Sequence, residues 1–481
     1  MNKREFLATG GAVPLILAGC GGSGSGSAPV RLVNASVGYP LLGFMDESTQ
    51  ATTADVAYGY ASPFENVQAG AVSITLTVAG QAATAAQTRT INKNQRYSLV
   101  AYGFATGLKQ VLITESTTAP TSGYANVNVL DTSVDIGSVD VYLSTTPSLS
   151  VSTKIAASIN GVTQSAFANV LPGSYYVTVV GAQSVENSIS DIRFQSSSAI
   201  LTVVDQQIET IILTPGVSGV LANVILLTQG TTAQSSPTTS YQNTTARVRA
   251  VTALSSSTPS VVSGNNISGS TVTPVTVMPY HFGSEYSEYK VVTTGTVGTG
   301  TGAAYTGANP ALTVTVNGSA LDIVMDSTNA TTGVTTEVAG VLSDGGDYTL
   351  MVYLNSSGNP VAKLIVDDNT APTSATGMKF RLINLAVDNP SLYLSMKVNS
   401  VAVASLVSYG SASAYTQITT VPQQTPSAIQ VLSGTTPVFS FSQTLALSTT
   451  GNTLADIFTA IVVNSTDPNG YFFSASALSS S

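Results

Sequence analysis

The chain has 481 residues, too many for one ordinary core, so its length favours three or four domains. Hydrophobic residues make up 43% and charged residues only 9%, a composition that argues against intrinsic disorder. The net charge of −9, without basic clusters, argues against nucleic acid and an anionic lipid surface as partners. Abundant Val, Ile, Thr and Tyr favour strands over helices.

The first twenty residues are typical of a secretory signal. Lys3 and Arg4 precede an apolar stretch, which ends in Leu17-Ala18-Gly19-Cys20. These last four residues resemble the lipobox of bacterial lipoproteins, and the resemblance implies cleavage before Cys20 and lipid attachment to that cysteine. More than one acyl chain gives stable anchoring, whereas a single chain binds a membrane only marginally. Residues 21–28 are nearly all Gly and Ser, which predicts a flexible tether.

The same segment bears on export route and location. The start Asn2-Lys3-Arg4-Glu5-Phe6 resembles a twin-arginine signal with Lys in place of the first Arg, so that route and general secretion both remain open. Gly21 follows the cysteine where Asp would often retain a lipoprotein in the inner membrane, so the bacterial outer membrane is favoured over the inner one.

Cys20 is the only cysteine, so no disulfide is expected and packing alone is predicted to supply stability.

Period-two hydrophobic stretches separated by Gly and Asn clusters predict an all-β chain, a tandem array of immunoglobulin-like β-sandwich domains. Each module opens on an alternating strand, for example residues 30–36 and 379–384. The predicted order is signal peptide 1–19, lipidated cysteine and Gly/Ser tether 20–28, module 1 at 29–117, module 2 at 123–228, linker 229–243, module 3 with a Gly/Thr-rich insertion at 244–370, and module 4 at 377–478. Thr-Ala-Pro-Thr-Ser recurs at 118–122 and 370–374, which suggests that an ancestral pair of modules was duplicated.

One motif recurs within the modules. In module 1 it spans residues 56–70, and a looser copy at 279–291 belongs to module 3. Its repeated members are Tyr58, Gly59, Phe64, Val67 and Gly70 in module 1, Phe167, Val170 and Gly173 in module 2, and Tyr409, Gly410, Tyr415 and Ile418 in module 4.

What persists between the copies is aromatic, β-branched and Gly residues, whereas the polar residues vary. We therefore interpret the motif as structural, with a motif that lines a binding face as the alternative. Val56, Tyr58, Phe64 and Val67 are expected in one side of the sandwich core. The glycines are expected in turns that need a positive φ, and Asn66 is expected to bond its own backbone in such a turn.

These patterns together resemble a known family. An opening Val-Arg-Leu-Val-Asn-Ala-Ser (30–36), an inner Val-Asp-Val-Tyr (139–142), then Tyr-Gly-x-x-Ser-x-aromatic and Val-x-x-Gly are similar to the family called domain of unknown function 4397. The resemblance is best over 30–103, next over 125–180 and moderate over 379–463. It implies tandem β-sandwiches in a bacterial envelope protein, and it supplies no catalytic residues.

Candidate catalytic or metal-binding residues are few. His281 is the only histidine, whereas zinc sites need three or four ligands. The pairs Asp344/Asp347 and Asp367/Asp368 lie in turn sequences without the ligand spacing of a calcium loop. No two carboxylates are singled out for glycoside hydrolysis. We therefore expect no enzyme, no metal and no cofactor.

The sequence thus predicts a non-enzymatic, lipid-anchored cell-envelope protein with a structural or adhesive display of β-sandwich modules. A carbohydrate-binding or scaffold subunit of an envelope complex is the alternative, although the absence of Trp weakens stacking on glycans. A periplasmic or surface hydrolase is a further alternative, and it needs a polar cluster that the sequence does not reveal. The expected partners are the membrane, through the lipid anchor only, and a glycan or protein ligand bound by loops.

Overall fold

The computed structural model describes the chain from residue 26 to residue 474 with gaps. The described residues are 26–104, 107–133, 136–148, 151–182, 192–230, 237–254, 260–265, 271–275, 290–293, 295–296, 312–328, 334–370, 372, 377–419, 426–444, 457–463 and 471–474. Cys20, His281 and the looser motif copy up to residue 289 lie outside them. The elements of the described part are β-strands. None of its residues form a helix long and apolar enough to cross a membrane.

Module 1 is a sandwich of two sheets. Its strands are β1 (Ser27–Ala35), β2 (Leu41–Asp46), β3 (Val56–Ala57), β4 (Glu65–Gln68), β5 (Gly70–Val78), β6 (Gln81–Ala82), β7 (Gln87–Ile91), β8 (Arg96–Tyr102) and β9 (Lys109–Glu115). One sheet has the order β4-β1-β8-β9, and the other has β3-β2-β5-β6 with β7 also on β5. The period-two residues Val72, Ile74 and Leu76 of β5 point into the core between the sheets.

Module 2 repeats this arrangement. Its strands are β10 (Ala125–Asp131), β11 (Val139–Ser144), β12 (Thr153–Ile159), β13 (Ala168–Val170), β14 (Gly173–Gly181), β15 (Ile192–Gln195), β16 (Leu201–Val203), β17 (Ile208–Pro215), β18 (Ala222–Thr228) and β19 (Thr238–Tyr241). The sheets are β13-β10-β17-β18-β19 and β12-β11-β14-β15, with β16 on β14. The segment 229–243 was predicted to be a linker, but it contains β19, which pairs with β18 in this sheet.

Module 3 has a larger first sheet. Its strands are β20 (Thr245–Ala253), β21 (Ser260–Asn265), β22 (Thr271–Val275), β23 (Lys290–Thr293), β24 (Gly295–Thr296), β25 (Leu312–Val316), β26 (Ser319–Leu321), β27 (Ile323–Thr328), β28 (Thr335–Ala339), β29 (Val341–Leu342), β30 (Asp347–Leu354) and β31 (Pro360–Asp367). The sheets are β23-β20-β30-β31-β27-β28, β22-β21-β25-β26 and the short pair β24-β29.

Module 4 is again a pair of sheets. Its strands are β32 (Met378–Asn384), β33 (Leu394–Val398), β34 (Val401–Val407), β35 (Ser411–Ala412), β36 (Thr416–Ile418), β37 (Pro426–Ser433), β38 (Thr436–Thr444), β39 (Ile457–Val462) and β40 (Tyr471–Ser474). The sheets are β35-β32-β39-β40, with β36 on β32, and β34-β33-β37-β38. These four modules confirm the predicted all-β fold of tandem β-sandwiches.

The opening strand of every module pairs in parallel with a later strand. The parallel pairs are β1 with β8, β10 with β17, β20 with β30 and β32 with β39. Alternate residues of β1 are buried on opposite faces of the sheet: Val30 and Leu32 face the core of module 1, whereas Val33 and Ala35 face away from it. A strand buried on both faces needs a second packing partner, which the neighbouring module supplies.

Modules 1 and 2 pack against each other through the outer faces of the sheets that hold their opening strands. This first pair is joined by an apolar cluster contributed by Val33, Ala35, Val100 and Ile113 of module 1 and by Leu130, Ile212, Ile225 and Leu227 of module 2. Modules 3 and 4 form a second pair in the same way. Their cluster consists of Val251, Ala253, Met351 and Tyr353 with Ile383, Leu385, Ile461 and Val463.

The two pairs also touch. Val220 of module 2 packs with Ile457 and Tyr415 of module 4. The Ser218 hydroxyl oxygen accepts a hydrogen bond from the backbone N–H of Asp347, at 2.9 Å. The turn between β17 and β18 therefore reaches the edge of the interface that joins modules 3 and 4.

Candidate functional site

The tyrosine of the repeated motif lies between modules. The Tyr58 hydroxyl is 2.8 Å from the Thr214 hydroxyl of module 2, and burial raises the pKa of Tyr58. Tyr409 of module 4 donates a hydrogen bond to the carbonyl of Leu354 in module 3. The expectation that Tyr58 belongs to the sandwich core was therefore wrong. The alternating pattern marks it as buried, but the surface that buries it belongs to the next module.

The glycine after this tyrosine allows the close approach of the two modules. Gly59 and Gly410 have φ values of 82° and 71°, a region that L side chains rarely adopt. A Cβ on Gly59 would lie 2.6 Å from Cβ of Ser240, and one on Gly410 would lie 2.5 Å from the Tyr353 hydroxyl oxygen. Both obstacles belong to the partner module of the pair, so the Tyr-Gly step of the motif forms part of the interface.

Gly410→Ala is expected to lower the free energy of unfolding of the second pair by about 1 to 3 kcal/mol, since it combines backbone strain with a steric clash. Urea unfolding measures the loss. Gly434→Ala is the matched control: its φ is 61°, yet nothing lies within 4 Å of the added Cβ. Equal losses in the two variants would show that backbone strain alone explains the glycine and that the module contact does not.

The aromatic residue of the motif covers a cation. Phe64 is half-buried rather than part of the core, which corrects the second expectation for this stretch. The guanidinium carbon of Arg31 lies 4.8 Å from the centre of its ring, and that of Arg381 lies 4.6 Å from the ring centre of Tyr415. In module 2 the opening strand carries Asn128 at the corresponding position, and Phe167 is 40% exposed.

The remaining motif residues hold the first sheet of each module together. Val67, Val170 and Ile418 are buried, and they pair with the opening strands opposite Ala28, Ala125 and Met378 respectively. Gly70 and Gly173 begin the next strands, β5 and β14. Asn66 was expected in a turn, but it lies exposed within strand β4. In modules 1, 2 and 4 the second half of the motif is thus an element of one module, whereas the Tyr-Gly step reaches across to another.

A buried ion pair adjoins the apolar cluster of the first pair. A nitrogen of the Arg31 guanidinium lies 2.6 Å from a carboxylate oxygen of Glu115, and the two side chains are 1% and 0% exposed. The same arginine donates hydrogen bonds to the Ser98 hydroxyl, at 2.9 Å, and to the carbonyl of Thr228 in module 2, at 3.0 Å. This ion pair therefore connects the opening strand, the last strand of module 1 and the neighbouring module.

A second carboxyl group lies close to this ion pair on the module 2 side. Burial raises the pKa of Glu209 to about 7, although hydrogen bonds with Thr228 and Gln207 and the charge of Arg31 act in the opposite direction. In an unfolded chain the pKa of a glutamate is about 4.3. The folded state therefore binds the carboxyl proton of Glu209 more tightly than the unfolded chain does. The contribution of Glu209 to stability is fully present below its unfolded pKa and is lost as the pH rises through its folded pKa of about 7.

Glu209→Gln is expected to raise the free energy of unfolding of the first pair at pH 8 by about 1 to 3 kcal/mol and to leave it nearly unchanged near pH 4. The amide keeps the shape of the carboxyl group but has no proton to lose. Denaturant unfolding over this pH range measures the difference. Glu65→Gln, an exposed residue of β4, is the control and should follow the wild-type pH dependence. A stabilisation that is the same at both pH values would contradict the assignment.

The second pair has a larger buried ionic network. Asp367 accepts hydrogen bonds from the Thr349 hydroxyl, at 2.7 Å to its nearer oxygen, and from Arg381 of module 4. A nitrogen of Arg249 lies 3.6 Å from the same carboxylate, and Arg249 also donates to the Thr459 hydroxyl of module 4, at 3.1 Å. Strands β20, β30, β31 and β32 thus meet at one carboxylate, which is 0% exposed, and Arg249 links it to strand β39.

Three of the four aspartates considered for calcium, Asp347, Asp367 and Asp368, form ion pairs. Asp347 receives two hydrogen bonds from Arg247, at 2.8 and 2.9 Å, and Asp368 lies 2.8 Å from the ammonium nitrogen of Lys379. Within the described ranges there is no group of three His, Cys, Asp or Glu side chains arranged to hold a metal ion. These carboxylates neutralise buried cations, which is a structural use of charge.

The sequence interpretation missed these arginines. The available signal was an Arg in three of the four opening strands, at Arg31, Arg249 and Arg381, in a chain with only 16 Lys and Arg residues. Arg is almost never fully buried unless it is paired. An Arg repeated within an apolar alternating strand therefore indicates a paired cation on the buried outer face of the sheet.

A surface cleft opens beside the interface of the second pair. It has a volume of about 440 Å³ and is lined by the end of strand β30 and by loops of modules 3 and 4, including Tyr353, Asn355, Tyr393 and Tyr409. The rings of Tyr353 and Tyr409 meet edge to face, with centres 5.5 Å apart. Tyr393 is 57% exposed. The cleft thus brings the motif tyrosine next to an exposed aromatic ring.

Comparison with known proteins identifies one family. Residues 28–142 match the model described as domain of unknown function 4397. The match covers module 1 and the first strands of module 2, and it confirms the predicted resemblance over these residues. Among curated proteins no significant match was found.

Solved structures give distant likenesses. A candidate cell adhesion protein from Bacteroides uniformis is 10% identical, with 52% of this chain and 100% of that chain covered, at a TM-score of 0.19. One from Parabacteroides distasonis is 12% identical, with 52% and 100% covered, at 0.20. The TIE protein of Bacillus anthracis is 10% identical, with 88% and 65% covered, at 0.12. Likenesses at these TM-scores do not extend to function.

Proposed function

We propose that this protein is a non-enzymatic, lipid-anchored protein of the bacterial cell envelope, held in the outer membrane through Cys20, whose paired β-sandwich modules display an adhesive surface. The observation that carries the proposal is the buried interface within each pair. Apolar clusters and ionic networks join neighbouring modules there. Such coupling suits a scaffold that holds loops in a fixed arrangement, since binding loops act best when a rigid framework positions them.

The use of charge supports a non-enzymatic role. The buried acidic residues Glu115, Asp347 and Asp367 each lie within ion-pair distance of an arginine. Carboxylates in such pairs neutralise fixed cations and are poorly placed to exchange protons with a substrate. A screen against common hydrolase substrates tests this part of the proposal. Activity that disappears in His281→Ala would overturn it.

The lipid anchor has a direct test. Cells that express the chain are labelled with a palmitate analogue, and the label is expected on the wild-type chain and not on Cys20→Ala. A label that survives this substitution would contradict attachment at Cys20. Fractionation of the envelope then separates outer-membrane from inner-membrane attachment.

The adhesive role is tested on whole cells. Cells with and without the chain are compared for retention under flow on surfaces coated with envelope glycans or envelope proteins. Retention that requires the chain and its Cys20 is expected. Equal retention of both strains on every surface would contradict adhesion and leave a purely structural role.

A further inference from the structure

We propose that the cleft between modules 3 and 4 binds a neutral saccharide, with Tyr393 as the ring on which the sugar stacks. This inference rests on the proposed adhesive function, because it names the ligand class of one displayed surface. The cleft is formed by loops from two modules, and concave sites between domains are frequent places for small ligands.

The lining of the cleft is neutral and rich in hydrogen-bonding groups. Beside the three tyrosines it includes Asn355, Ser391 and Ser408, and its lining side chains in the described part of the chain carry no charge. Tyr offers a large rigid contact area with a polar tip, whereas Ser and Asn offer adaptable hydrogen bonds. Sugars present apolar C–H faces together with neutral hydroxyl groups, so this combination of residues is complementary to them.

The cleft is also preorganised. The side-chain amide of Asn384 donates hydrogen bonds to the carbonyls of Leu392, at 2.8 Å, and Val407, at 2.9 Å, which ties the two module 4 segments of the lining together. The carboxamide oxygen of Asn355 accepts hydrogen bonds from the backbone N–H groups of Ser357 and Asn359, each at 3.0 Å, and so fixes the module 3 turn. A site held in this way loses little conformational freedom when a ligand binds.

The cleft remains neutral over the physiological pH range. Burial, together with the negative charges of Glu337 and Asp326, raises the pKa of Tyr353 to about 12. Its phenol therefore stays protonated, and no anionic group forms at the base of the cleft. An uncharged ligand is therefore favoured over an anionic one.

The ring geometry favours a saccharide over a proline-rich peptide. Peptides in the polyproline II conformation dock in grooves lined with aromatic rings. Here the rings of Tyr353 and Tyr409 cross at 86°, and Tyr353 is only 6% exposed. Tyr393 remains as the exposed aromatic face of the cleft, which is the arrangement that one stacked sugar ring requires.

The cleft is particular to the second pair. Leu42 pairs with Val56 in module 1 as Leu394 pairs with Val407 in module 4, so Leu41 takes the position of Tyr393. The position of Ser408 is taken by Ala57 when the Tyr-Gly steps of the motif are aligned. The framework that surrounds the cleft therefore recurs in the first pair, whereas the residues suited to a ligand do not.

The test is a labelled full chain on an array of neutral and acidic oligosaccharides and proline-rich peptides. Binding to one or more neutral oligosaccharides is expected, and Tyr393→Ala should weaken it by about tenfold or more. Tyr60→Ala removes a tyrosine of module 1 that is 53% exposed, and this control should bind like the wild type. Because Tyr393 is exposed, its replacement should leave the unfolding midpoint of the chain unchanged.

Absence of neutral-saccharide binding would overturn the inference, as would saccharide binding that Tyr393→Ala does not weaken. Peptide or acidic-saccharide binding that is lost in Tyr393→Ala would also overturn it and assign the cleft to that ligand. Retention of cells under flow separates the two proposals. If cells that carry Tyr393→Ala are still retained, the adhesive function is supported but the cleft is not the adhesive site. If wild-type cells are not retained, the adhesive function itself is contradicted.

Discussion

Replacement of Asp367 by alanine is expected to lower the free energy of unfolding of the second pair by about 3 to 5 kcal/mol. Asp367 accepts hydrogen bonds from Arg381 and Thr349 and lies near Arg249, all of them buried. The variant leaves two guanidinium groups in the interface without this counter-charge. The cost of an unpaired buried charge exceeds what the lost hydrogen bonds alone would contribute.

Urea unfolding of the full chain measures this loss, and a carboxylate that is exposed in its ion pair supplies the control. Glu337 lies 3.5 Å from the ammonium nitrogen of Lys363, and its side chain is 56% exposed. Exposed ion pairs contribute at most about 1 kcal/mol, so Glu337→Ala should have a small effect. If Asp367→Ala cost no more than this control, the ionic network would not be an important part of the interface.

Arg31→Ala is expected to destabilise the first pair by a similar amount, about 3 to 5 kcal/mol, because it leaves Glu115 buried without its cation. The loss should be greater at pH 8 than at pH 5. The charge of Arg31 also holds down the pKa of Glu209, so its removal raises that pKa further. Glu209 can then take up a proton at the lower pH but is forced to ionise at the higher one.

Thermal unfolding at the two pH values measures this effect, with Arg96→Ala as the matched control. Arg96 lies 5.7 Å from the same Phe64 ring and donates to the carbonyl of Gly230, at 3.0 Å, but this bond is exposed. Its removal should cost less than about 1 kcal/mol at either pH. Equal effects of the two substitutions would mean that contact with Phe64, and not the buried ion pair, is what stabilises the first pair.

The strands were predictable because their hydrophobic period is strong. The expected strands 30–36 and 379–384 correspond to β1 (Ser27–Ala35) and β32 (Met378–Asn384). An alternating pattern states that one face is buried, but not which surface covers it. For that reason Tyr58 was placed in the core of its own module, although it packs against module 2.

The ionic networks were not predictable, because their partners are far apart in the sequence. Arg31 and Glu115 are separated by 84 positions, and Arg249 and Thr459 by 210. The sequence interpretation expected packing alone to supply stability and did not foresee these buried ion pairs. Charged residues are few in this chain, yet several of them lie fully buried where two modules meet, so we expect their effect on stability to be larger than their number suggests.

The repeated pentapeptide fits the pairing of modules. Its prolines, Pro120 and Pro372, are both buried, one in each pair. The first half of the motif makes the same kind of contact in both pairs, through Tyr58 and Tyr409. These correspondences support the duplication of an ancestral pair, because the interface and the junction recur together.

The central claim is that two modules joined by a Tyr-Gly interface behave as one cooperative unit. Hydrogen exchange of the full chain, compared between the wild type and Asp367→Ala, tests it most directly. Asp367 belongs to module 3, and the account predicts that amide protection falls together in β30 and β31 of module 3 and in β32 and β39 of module 4, while β1 and β8 keep theirs. A loss of protection confined to module 3 would contradict the claim.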